Sequence, residues 1–457
     1  MTQSGFIAAI DLGTSKITGV IGRKNENNVI SILECVSLPS ENSIRRGTIY
    51  NIDKAGAIVR KLVSMLENAQ GQKIGKVYVS LGGQSVHTEV IRESKQLSAS
   101  GIVTEEVVAQ LRKVAEQYKP DLKQKYGIGD VEYFLDDKPE KNPVGVACST
   151  IEAEYQVVVG RPNLALNIEK TITDKGRLQI AGLVVGPLAS AAIALTEEEK
   201  ELGCAFIDFG AGTTALSIYK GGILRRMVTI PFGGRNITRD IAELNFVESD
   251  AEQYKIKFGK ARESSESSPF SSPFLMKPDI DLVELNRVIV MRLDEITANI
   301  KEQIRLSGYQ EQLGAGVVIT GGASQLRNLD EYLTQKLGMP VRKAASRKTL
   351  VNNSPEYAND PALTSALGML LFASENCEKM IEEEPLKTEE KKTKGSSVWD
   401  TFFGDRGGDK EYKEQTDRKG GRKDPSRQPN KENKSINLGG KMKNMFSTMF
   451  EEEDDDQ

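Results

Sequence analysis

The sequence contains one histidine and four cysteines, which limits the chemistry that it can support. The cysteines are far apart and form no CxxC pair: Cys35, Cys148, Cys204 and Cys377. A zinc site or a disulfide framework is therefore not expected, and the composition suits a reducing cytosol. A single histidine also disfavours catalysis by a histidine-containing triad, so we expect His87 to be a strand or surface residue.

A strong net charge and a long hydrophobic run are also missing. The 61 basic and 65 acidic residues give a net charge of −4, whereas a dedicated nucleic-acid-binding protein would need a basic surface. The N-terminal MTQSGFIAAIDLG has no basic region ahead of an apolar core, so we expect no signal peptide. The most apolar stretch, from Ile180 to Leu195, is shorter than the roughly 20 residues of a membrane span and contains Pro187. We predict a buried strand, turn and helix there.

Up to about Ala373 the sequence alternates between strand-like and helical segments. Segments such as FIAAIDLG, GCAFIDFG and GAGVVITGG end in glycine, and helical segments such as DKAGAIVRKLVSMLENA lie between them. This alternation predicts an α/β protein with largely parallel sheets. Two segments, FIAAIDLGTSKITGVIGRKN at 6–25 and CAFIDFGAGTTALSIYKGGI at 204–223, share a strand, Asp-x-Gly, a hydroxyl pair and a second strand. They predict two halves built on one plan.

The chemistry of these repeated loops fits a nucleotide phosphate chain. Glycines let the backbone approach closely, and turn N–H groups and hydroxyls hold oxyanions. We expect Asp11 and Asp208 at the ends of two strands facing one cleft, where carboxylates suit Mg²⁺ bound through water. The remaining candidates of the two loops are Gly13, Thr14, Ser15, Lys16, Gly210, Gly212, Thr213 and Thr214. A single such loop is commonly just a turn, but two matched copies are stronger evidence.

Two glycine pairs extend the candidate site. The strand VVIT runs into Gly321, Gly322, Ala323 and Ser324 and then a helix, which suits a place under a base, ribose or α-phosphate. In isolation, a tight strand–helix turn would be the default explanation. The candidates around the second pair are Gly233, Gly234, Asn236, Glu252 and Lys255.

The region between the halves and the C-terminal region are different in character. Residues 84–173 are less regular and predict a small inserted α+β module, with Thr104 as a helix N-cap and VEYFLDD and YQVVVG as strands. From Glu378 onwards charged and small polar residues dominate. Because such a segment cannot form a core, Glu384–Lys434 is predicted to be a disordered linker. The island VWDTFFGD, around Trp399, is either a stray apolar cluster or a short partner-docking motif.

The last residues form an amphipathic pattern. On a helix, six apolar side chains fall within an arc of roughly 140°: Leu438, Met442, Met445, Phe446, Met449 and Phe450. Lys441 and Lys443 border the arc, the layout of a helix lying in a membrane interface. A helix that docks on the folded body or in a partner groove is the alternative. Anionic lipids would repel the six acidic residues that follow, so binding should depend on burial of methionine and phenylalanine.

The motif order, strand–Asp-Gly twice and then strand–Gly-Gly-Ala, resembles that of the actin, Hsp70 and sugar-kinase superfamily over residues 6–373. Several segments in it resemble FtsA, the family of actin-like bacterial cell-division proteins. They are GTIYNID at 47–53, VYVSLGG at 77–83, KNPVG at 141–145, DAEQYKIKFG at 250–259 and ITGGASQLRNL at 319–329. The inserted module falls where FtsA replaces one actin subdomain with its own small domain.

The resemblance implies a two-lobed actin-like ATPase fold around a cleft for ATP and Mg²⁺. VVGPLASAAIAL and DPALTSALGMLLFA would be the helices that cross between the lobes. The implied divisions are 1–83, 174–200 and 359–377 for the first lobe, 84–173 for the inserted α+β domain, 201–358 for the second lobe, 378–435 for the linker, 436–450 for the amphipathic membrane helix and 451–457 for the acidic tail.

The resemblance also implies a protein that polymerises on the cytoplasmic face of the inner membrane at the division septum. It would bind the C-terminal peptide of the tubulin-like FtsZ, further copies of itself and membrane lipids, but no nucleic acid. The helix RVIVMRLDEITANIKEQIRLSG occupies the FtsZ-binding place, with Arg292, Glu295 and Asn299 on or near one face. An ordinary solvated helix face is the alternative.

Hydrolysis of ATP needs a positioned water and usually a polarising group. Chaperone and kinase relatives carry a carboxylate or amide on the first crossing element, where GPLASAAIAL offers only Ser190. We therefore expect slow hydrolysis, with ATP acting mainly as a polymerisation switch. Two alternatives remain. A sugar-kinase-like enzyme would need a catalytic aspartate beside a substrate cleft, and an actin-like scaffold of the pilus-assembly type would not need the amphipathic end.

Overall fold

The computed structural model describes residues 5–97, 101–262, 280–351 and 353–379. All of them belong to one folded unit, Met1–Glu383. The predicted linker from residue 380 onwards, the segment around Trp399, the amphipathic helix at 436–450 and the acidic tail at 451–457 lie outside the described residues. No helix in the described ranges is long and apolar enough to cross a membrane.

The first lobe starts with a strand that is apolar at every position but one. Its N-terminal elements are β1 (Ile7–Leu12), β2 (Lys16–Lys24), β3 (Ile30–Pro39), β4 (Ile44–Arg45), β5 (Thr48–Ile49), α1 (Ile52–Gln70) and β6 (Lys76–Leu81). Every residue of β1 except Asp11 is buried, as expected for a strand covered on both faces. Helix α1 begins where the Asn51 side chain accepts a hydrogen bond from the N–H of Lys54 at 2.9 Å, and it ends at Gly71, whose φ is 75°.

The inserted module follows the first lobe's β6. Its elements are β7 (His87–Gln96), α2 (Glu105–Gln117), β8 (Gln124–Leu135), β9 (Lys138–Glu140) and β10 (Thr150–Gly160). Helix α2 starts as predicted, because the Thr104 side chain accepts a hydrogen bond from the N–H of Val107 at 3.4 Å. The two predicted strands are also present, within β8 and β10.

The module has its own hydrophobic core, and Val159 is the last residue of the chain that belongs to it. The next elements, α3 (Asn163–Glu169) and a π-helix at Lys170–Lys175, turn their apolar side chains into the first-lobe core instead. These side chains are Leu164, Ile168 and Ile172. These three residues therefore pack outside the module's own core, and the boundary at 173 stays a prediction.

The chain then crosses to the second lobe. The stretch predicted as strand, turn and helix forms β11 (Gln179–Val185) and α4 (Gly186–Ala194), which confirms that prediction. Pro187 lies in the first turn of α4, where the missing N–H costs no helical hydrogen bond. The remaining elements are α5 (Glu197–Leu202), β12 (Cys204–Phe209), β13 (Thr214–Lys220), β14 (Ile223–Ile230), α6 (Gly234–Ala242), α7 (Glu248–Phe258), α8 (Leu282–Ser307), β15 (Val317–Thr320), α9 (Leu329–Leu337), β16 (Val341–Lys343), α10 (Pro355–Ala358) and α11 (Thr364–Phe372).

Both main sheets are mixed, so the prediction of largely parallel sheets is wrong. In the five-stranded sheet β11-β6-β1-β2-β3, β1 is parallel to β6 and antiparallel to β2. The second lobe repeats this plan, with β12 parallel to β15 and antiparallel to β13. In each lobe only a short loop follows the first strand, and a short loop can join only antiparallel neighbours. The repeat of the two halves is confirmed, and with it the two-lobed α/β architecture.

The inserted module also contacts the second lobe. Its strands continue the sheet of that lobe, giving nine strands in the order β16-β15-β12-β13-β14-β7-β10-β8-β9. At the junction, Val228 of β14 lies opposite His87 of β7. Beside them, Thr229 Oγ1 donates a hydrogen bond to the carbonyl oxygen of Val86 at 2.9 Å. The module is thus held by the first lobe through the chain and by the second lobe through a strand edge.

Helices α4 and α11 pack against each other between the two sheets. Helix α11 contacts β1, β2 and β6, and α4 contacts β11, β12 and β13. The helices approach closely at Gly368, where a Cβ atom would overlap the carbonyl oxygen of Ala189. This contact joins the first lobe to the second.

We expect Gly368→Ala to lower the free energy of unfolding by about 1–2 kcal/mol. The added methyl group must push α4 and α11 apart, and this overpacking outweighs the gain of about 1 kcal/mol in helix propensity. Urea denaturation followed by circular dichroism measures the change. Gly127→Ala is the control, because a Cβ atom there meets no atom within 4 Å. Equal effects of the two substitutions would contradict the packing argument.

Candidate functional site

A cleft of about 820 Å³ lies between the lobes, at the ends of β1 and β12. Most of the residues proposed from the sequence line it. They are Asp11, Gly13, Thr14, Ser15, Lys16, Asp208, Gly210, Gly212, Thr213, Gly234, Glu252, Lys255, Gly321, Gly322 and Ala323. The fold thus brings the two Asp-x-Gly loops, the glycine turn after β15 and helix α7 to one place.

Four proposed residues do not line the cleft: Thr214, Gly233, Asn236 and Ser324. Thr214 is buried and donates a hydrogen bond to a backbone carbonyl before α6 at 2.8 Å. Ser324 donates to the carbonyl oxygen of Gly321 at 2.7 Å, and Asn236 Oδ1 accepts from the N–H of Gly233 at 3.0 Å. The side chains of Ser324 and Asn236 bind the backbone of their own turns, and that of Thr214 binds the backbone of Phe232, because buried backbone groups need hydrogen-bond partners. They shape the cleft without facing it.

The two Asp-x-Gly loops touch each other. A Cβ atom on Gly212, in the second lobe, would lie 2.6 Å from Thr14 Oγ1 in the first lobe. A Cβ atom on Gly13 would lie 2.6 Å from the carbonyl oxygen of Lys16, so that loop also turns too tightly for a side chain. Thr14 Oγ1 in turn accepts a hydrogen bond from the N–H of Gly47 at 2.9 Å. The loops therefore present backbone and hydroxyl groups, which suit an anionic ligand.

Two aspartates face this cleft, and a serine binds each of them. Ser365 Oγ lies 3.1 Å from Asp11 Oδ1, and Ser190 Oγ lies 2.6 Å from Asp208 Oδ2. Burial raises the pKa of Asp11, although hydrogen bonds from Ser80 and Ser365 act in the other direction. Burial raises the pKa of Asp208 to about 6; the bond from Ser190 lowers it, and the nearby Asp11 carboxylate raises it further. Two carboxylates that resist ionisation here would be kept ionised by a cation.

The donor set of the cleft fits Mg²⁺ held mainly by other ligands. Within the described ranges, no group of three or more histidine, cysteine, aspartate or glutamate side chains is placed to hold a metal. Mg²⁺ usually keeps several waters and binds one or two carboxylates together with phosphate oxygens. Asp11 and Asp208 supply such a pair, so the residues present are compatible with the expected ion.

The glycine turn after β15 lies directly beside one of these carboxylates. Gly321 has a φ of 87°, and a Cβ atom on it would lie 2.5 Å from Asp208 Oδ1. Both the left-handed conformation and the close approach therefore require glycine. The helix expected immediately after this turn is a short 3₁₀ helix, Gly322–Gln325, and α9 starts only at Leu329.

Helices α6 and α7 form another wall of the cleft. Lys255 Nζ donates hydrogen bonds to the carbonyl oxygen of Gly234 at 2.8 Å, to Thr238 Oγ1 at 2.7 Å and to Glu252 Oε2 at 2.7 Å. Burial lowers the pKa of this lysine. This wall also has an apolar part, the side chain of Ile256, which is 65% exposed and lines the cleft.

Sequence reasoning missed several residues of the cleft. Ser365 was inside a predicted crossing helix, but a serine in an apolar helix has no pattern that marks it. Ser80, Gly47 and Ile256 also line the cleft and were not proposed. The glycines of VYVSLGG and GTIYNID were a usable signal, since Gly83 and Gly47 approach so closely that neither could carry a side chain.

The three residues proposed on α8 form one connected surface. The Arg292 guanidinium pairs with Asp240 of α6, with Nε–Oδ2 and Nη2–Oδ1 distances of 2.5 and 2.8 Å. It also pairs with Glu295 on its own helix, and Asn299 Nδ2 donates to the carbonyl oxygen of Glu295 at 2.9 Å. Arg292 is therefore already engaged between two helices. The proposed membrane residues, from Leu438 to Phe450, lie outside the described residues.

In the ligand-free protein, Asp208 should stabilise the fold at about pH 4 and lose this contribution as the pH rises to about 6. The pKa of folded Asp208, about 6, lies above its ordinary value of 3.8, so the folded protein keeps a proton that the unfolded chain has lost. This contribution is fully present below about pH 4 and is lost as the pH rises through about 6. The asparagine of Asp208→Asn does not titrate. The unfolding free energy of this variant, compared with that of wild type, should therefore rise by about 1–3 kcal/mol between about pH 4 and about pH 6.

Urea denaturation in EDTA at about pH 4 and pH 7 measures this difference. Asp53→Asn removes an 81% exposed carboxylate and controls for the loss of one negative charge. A stability difference between Asp208→Asn and wild type that is equal at both pH values would contradict the assignment.

Comparison with known proteins agrees with this architecture. A family model described as "Cell division protein FtsA" matches residues 205–368. Cell division protein FtsA of Porphyromonas gingivalis is 31% identical over 424 residues, which cover 90% of this chain and 88% of that protein. FtsA of Pseudomonas aeruginosa is 27% identical over 386 residues, which cover 81% of this chain and 90% of that protein.

Among solved structures, one titled "PilM-PilN type IV pilus biogenesis complex" is similar with a TM-score of 0.55. The match has 18% sequence identity and covers 80% of this chain and 98% of that chain, so it bears on the fold alone. The relative with 31% identity extends over nearly the whole of both chains. This chain therefore belongs to the FtsA family of cell division proteins and has their actin-like fold.

Proposed function

We propose that this cell-division protein binds ATP with Mg²⁺, polymerises on the cytoplasmic membrane and tethers FtsZ filaments there at the division septum. The observation that carries the proposal is the cleft, where two glycine loops and two half-buried carboxylates from opposite lobes meet. The proposed membrane attachment and FtsZ tethering are supported by membership of the FtsA family and by the amphipathic segment near the end of the sequence.

The nucleotide would lie across both lobes. Residues 13–16 and 210–213 would hold the phosphates, and Gly321 and Gly322 with Glu252 and Lys255 would lie near the nucleoside. Bound Mg²⁺ would neutralise phosphate charge and hold Asp11 and Asp208 in their ionised form. Because the ligands come from both lobes, a bound nucleotide favours one relative position of the lobes, which is the property of a conformational switch.

The cleft supports slow rather than fast hydrolysis. Ser190 is the only side chain of α4 with a polar group, and its hydroxyl donates to Asp208 at 2.6 Å. A hydroxyl held in this way is not placed to polarise an attacking water. The segment 186–195 contains no aspartate, glutamate or glutamine that could do so instead.

The surface on α8 is the proposed FtsZ-peptide site. It combines the charged groups around Arg292 with the side chain of Met291, which is 63% exposed. Peptide sites commonly combine exposed apolar side chains with arginine, because apolar burial supplies affinity and charge supplies orientation.

The start of the tail is fixed on the first lobe. The N–H of Gly75 donates to the carbonyl oxygen of Cys377 at 2.9 Å, and the N–H of Lys379 donates to that of Lys73 at 2.8 Å. Residues 380–437 would then separate this point from the amphipathic segment. A flexible chain of that length spans roughly 40 Å on average. The membrane helix could therefore act at a distance from the folded body, and polymerisation would strengthen its binding by avidity.

We expect purified protein to bind ATP more tightly in Mg²⁺ than in EDTA and to hydrolyse it well below the roughly 1–10³ per second of typical enzymes. The reason is that the only polar side chain of α4, Ser190, already donates its hydroxyl to Asp208 and is not free to polarise a water. Equilibrium dialysis with labelled ATP and a phosphate-release assay measure both properties. Turnover of tens of ATP per second by monodisperse protein would contradict the switch role.

We expect vesicles containing anionic lipid to recruit a fluorescent FtsZ C-terminal peptide only when the full-length chain is present with Mg²⁺ and ATP. A chain ending at Asn437 should bind the peptide in solution but leave it in the supernatant after vesicle sedimentation, because it lacks the amphipathic segment. Arg292→Ala should weaken peptide binding about tenfold or more, because it removes the central cation of the α8 surface.

Arg305→Ala is the matched control for the peptide, because Arg305 lies on the same helix and pairs only with exposed Glu302 in the described contacts. Equal vesicle binding by the full-length and shortened chains would contradict the membrane role. If shortening changed the unfolding free energy instead, the segment would be a helix that docks on the body.

A further inference from the structure

Each carboxylate of the cleft receives a hydrogen bond from a different crossing helix. Ser190 of α4 donates to Asp208 Oδ2 at 2.6 Å, and Ser365 of α11 donates to Asp11 Oδ1 at 3.1 Å. Asp208 and Asp11 occupy equivalent places in the two repeated halves, near the ends of β12 and β1. Each half of the molecule therefore repeats a serine–aspartate hydrogen bond as well as an Asp-x-Gly loop, and in both halves the serine lies outside that loop, on a crossing helix.

The packing of the crossing helices sets the position of both serines. Ser190 is 0% exposed and follows Ala189, whose carbonyl oxygen lies against Gly368 of α11. In the other direction, a Cβ atom on Gly186 of α4 would lie 3.2 Å from Ser365 Oγ. Ser365 thus lies against α4, and Ser190 follows the residue of α4 that meets α11, so a shift of α4 along α11 would change the position of one hydroxyl group relative to the other.

The carboxylates have restricted positions as well. Asp208 Oδ2 is bound by Ser190, while its Oδ1 lies beside Gly321, where even a Cβ atom would come within 2.5 Å. Asp11 is bounded by Ser365 on one side and by Ser80 on the other, and the N–H of Leu12 donates to Ser80 Oγ at 2.8 Å. Neither carboxylate can turn freely while its serine bond is present.

We propose that Ser190 and Ser365 are positioning residues for Mg²⁺, which orient Asp208 and Asp11 and so make metal affinity depend on the packing of α4 against α11. This inference rests on the proposed binding of Mg²⁺ and ATP. A hydroxyl that donates one hydrogen bond fixes the carboxylate plane and leaves lone pairs of the carboxylate for water ligands of the metal. Loss of such a partner typically weakens metal binding about 10- to 100-fold.

The test is the Mg²⁺ dependence of nucleotide binding by the full-length chain. A fluorescent ATP analogue is titrated at a series of free Mg²⁺ concentrations and in EDTA. We expect Ser190→Ala to raise the half-saturating Mg²⁺ concentration about tenfold and Ser365→Ala to raise it several-fold, since its hydrogen bond is longer. Affinity in EDTA should stay within about twofold of wild type. Ser190→Thr and Ser365→Thr keep the hydroxyl and should restore most of the Mg²⁺ response.

Ser217→Ala is the matched control, because Ser217 is 1% exposed on β13 and its Oγ has no hydrogen-bond partner in the described structure. It should leave the Mg²⁺ response unchanged.

Alanine variants that match wild type, or that lose affinity equally in EDTA and in Mg²⁺, would overturn the positioning role. If one alanine variant fails to fold, the alanine variant of the other serine still decides the question. Wild-type protein that binds no analogue at any Mg²⁺ concentration would instead overturn the proposed function, and this inference with it.

Discussion

The close packing of α4 against α11 is the contact on which the cleft depends. Gly368 has no room for a side chain against the facing carbonyl of α4, so the two crossing helices are held at one separation. Each helix then reaches a carboxylate, Ser190 to Asp208 and Ser365 to Asp11. The relative position of the two carboxylates therefore follows from a helix–helix contact made by residues that no ligand would touch. Interiors packed at this density transmit small shifts, so the crossing helices connect the state of the cleft to the position of the lobes.

Glycine occurs in the cleft where two stretches of backbone must meet. Gly212 lets the loops of the two lobes touch at Thr14, and Gly321 passes beside Asp208 with a φ of 87°. Close approach of this kind excludes side chains, which leaves N–H and hydroxyl groups as the surface offered to a ligand. The inserted module adds a further link between the lobes through the pairing of β7 with β14. Rotation of one lobe against the other must therefore also move this strand edge, far from the phosphate loops in sequence.

The parts of the fold that could be predicted depend on neighbours in the chain. The Asp-x-Gly loops follow apolar strands, the N-cap at Thr104 precedes a helical pattern, and Pro187 starts a helix. The predictions that were wrong concern residues that are distant in the chain but adjacent in the folded protein. Alternating strands and helices suggested parallel sheets, but strand direction was decided by the short loops that return β2 and β13 beside β1 and β12. Likewise, Thr214 had the right residue type and position in its motif, yet its hydroxyl binds a backbone carbonyl that only the folded loop brings close.

The sequence by itself determined which chemical groups are present, the order of the strands and helices, and the family, because these are properties of short segments and of their order. Tertiary structure alone decided which of those groups share a cleft and how each is held. Ser365 illustrates the reason, since it binds a carboxylate 354 residues away in the chain. Such a pair leaves no local pattern, because its hydrogen bond and its burial exist only after the second lobe has returned the chain to the first. The raised pKa of Asp208 has the same origin, namely burial and a second carboxylate contributed by the opposite lobe.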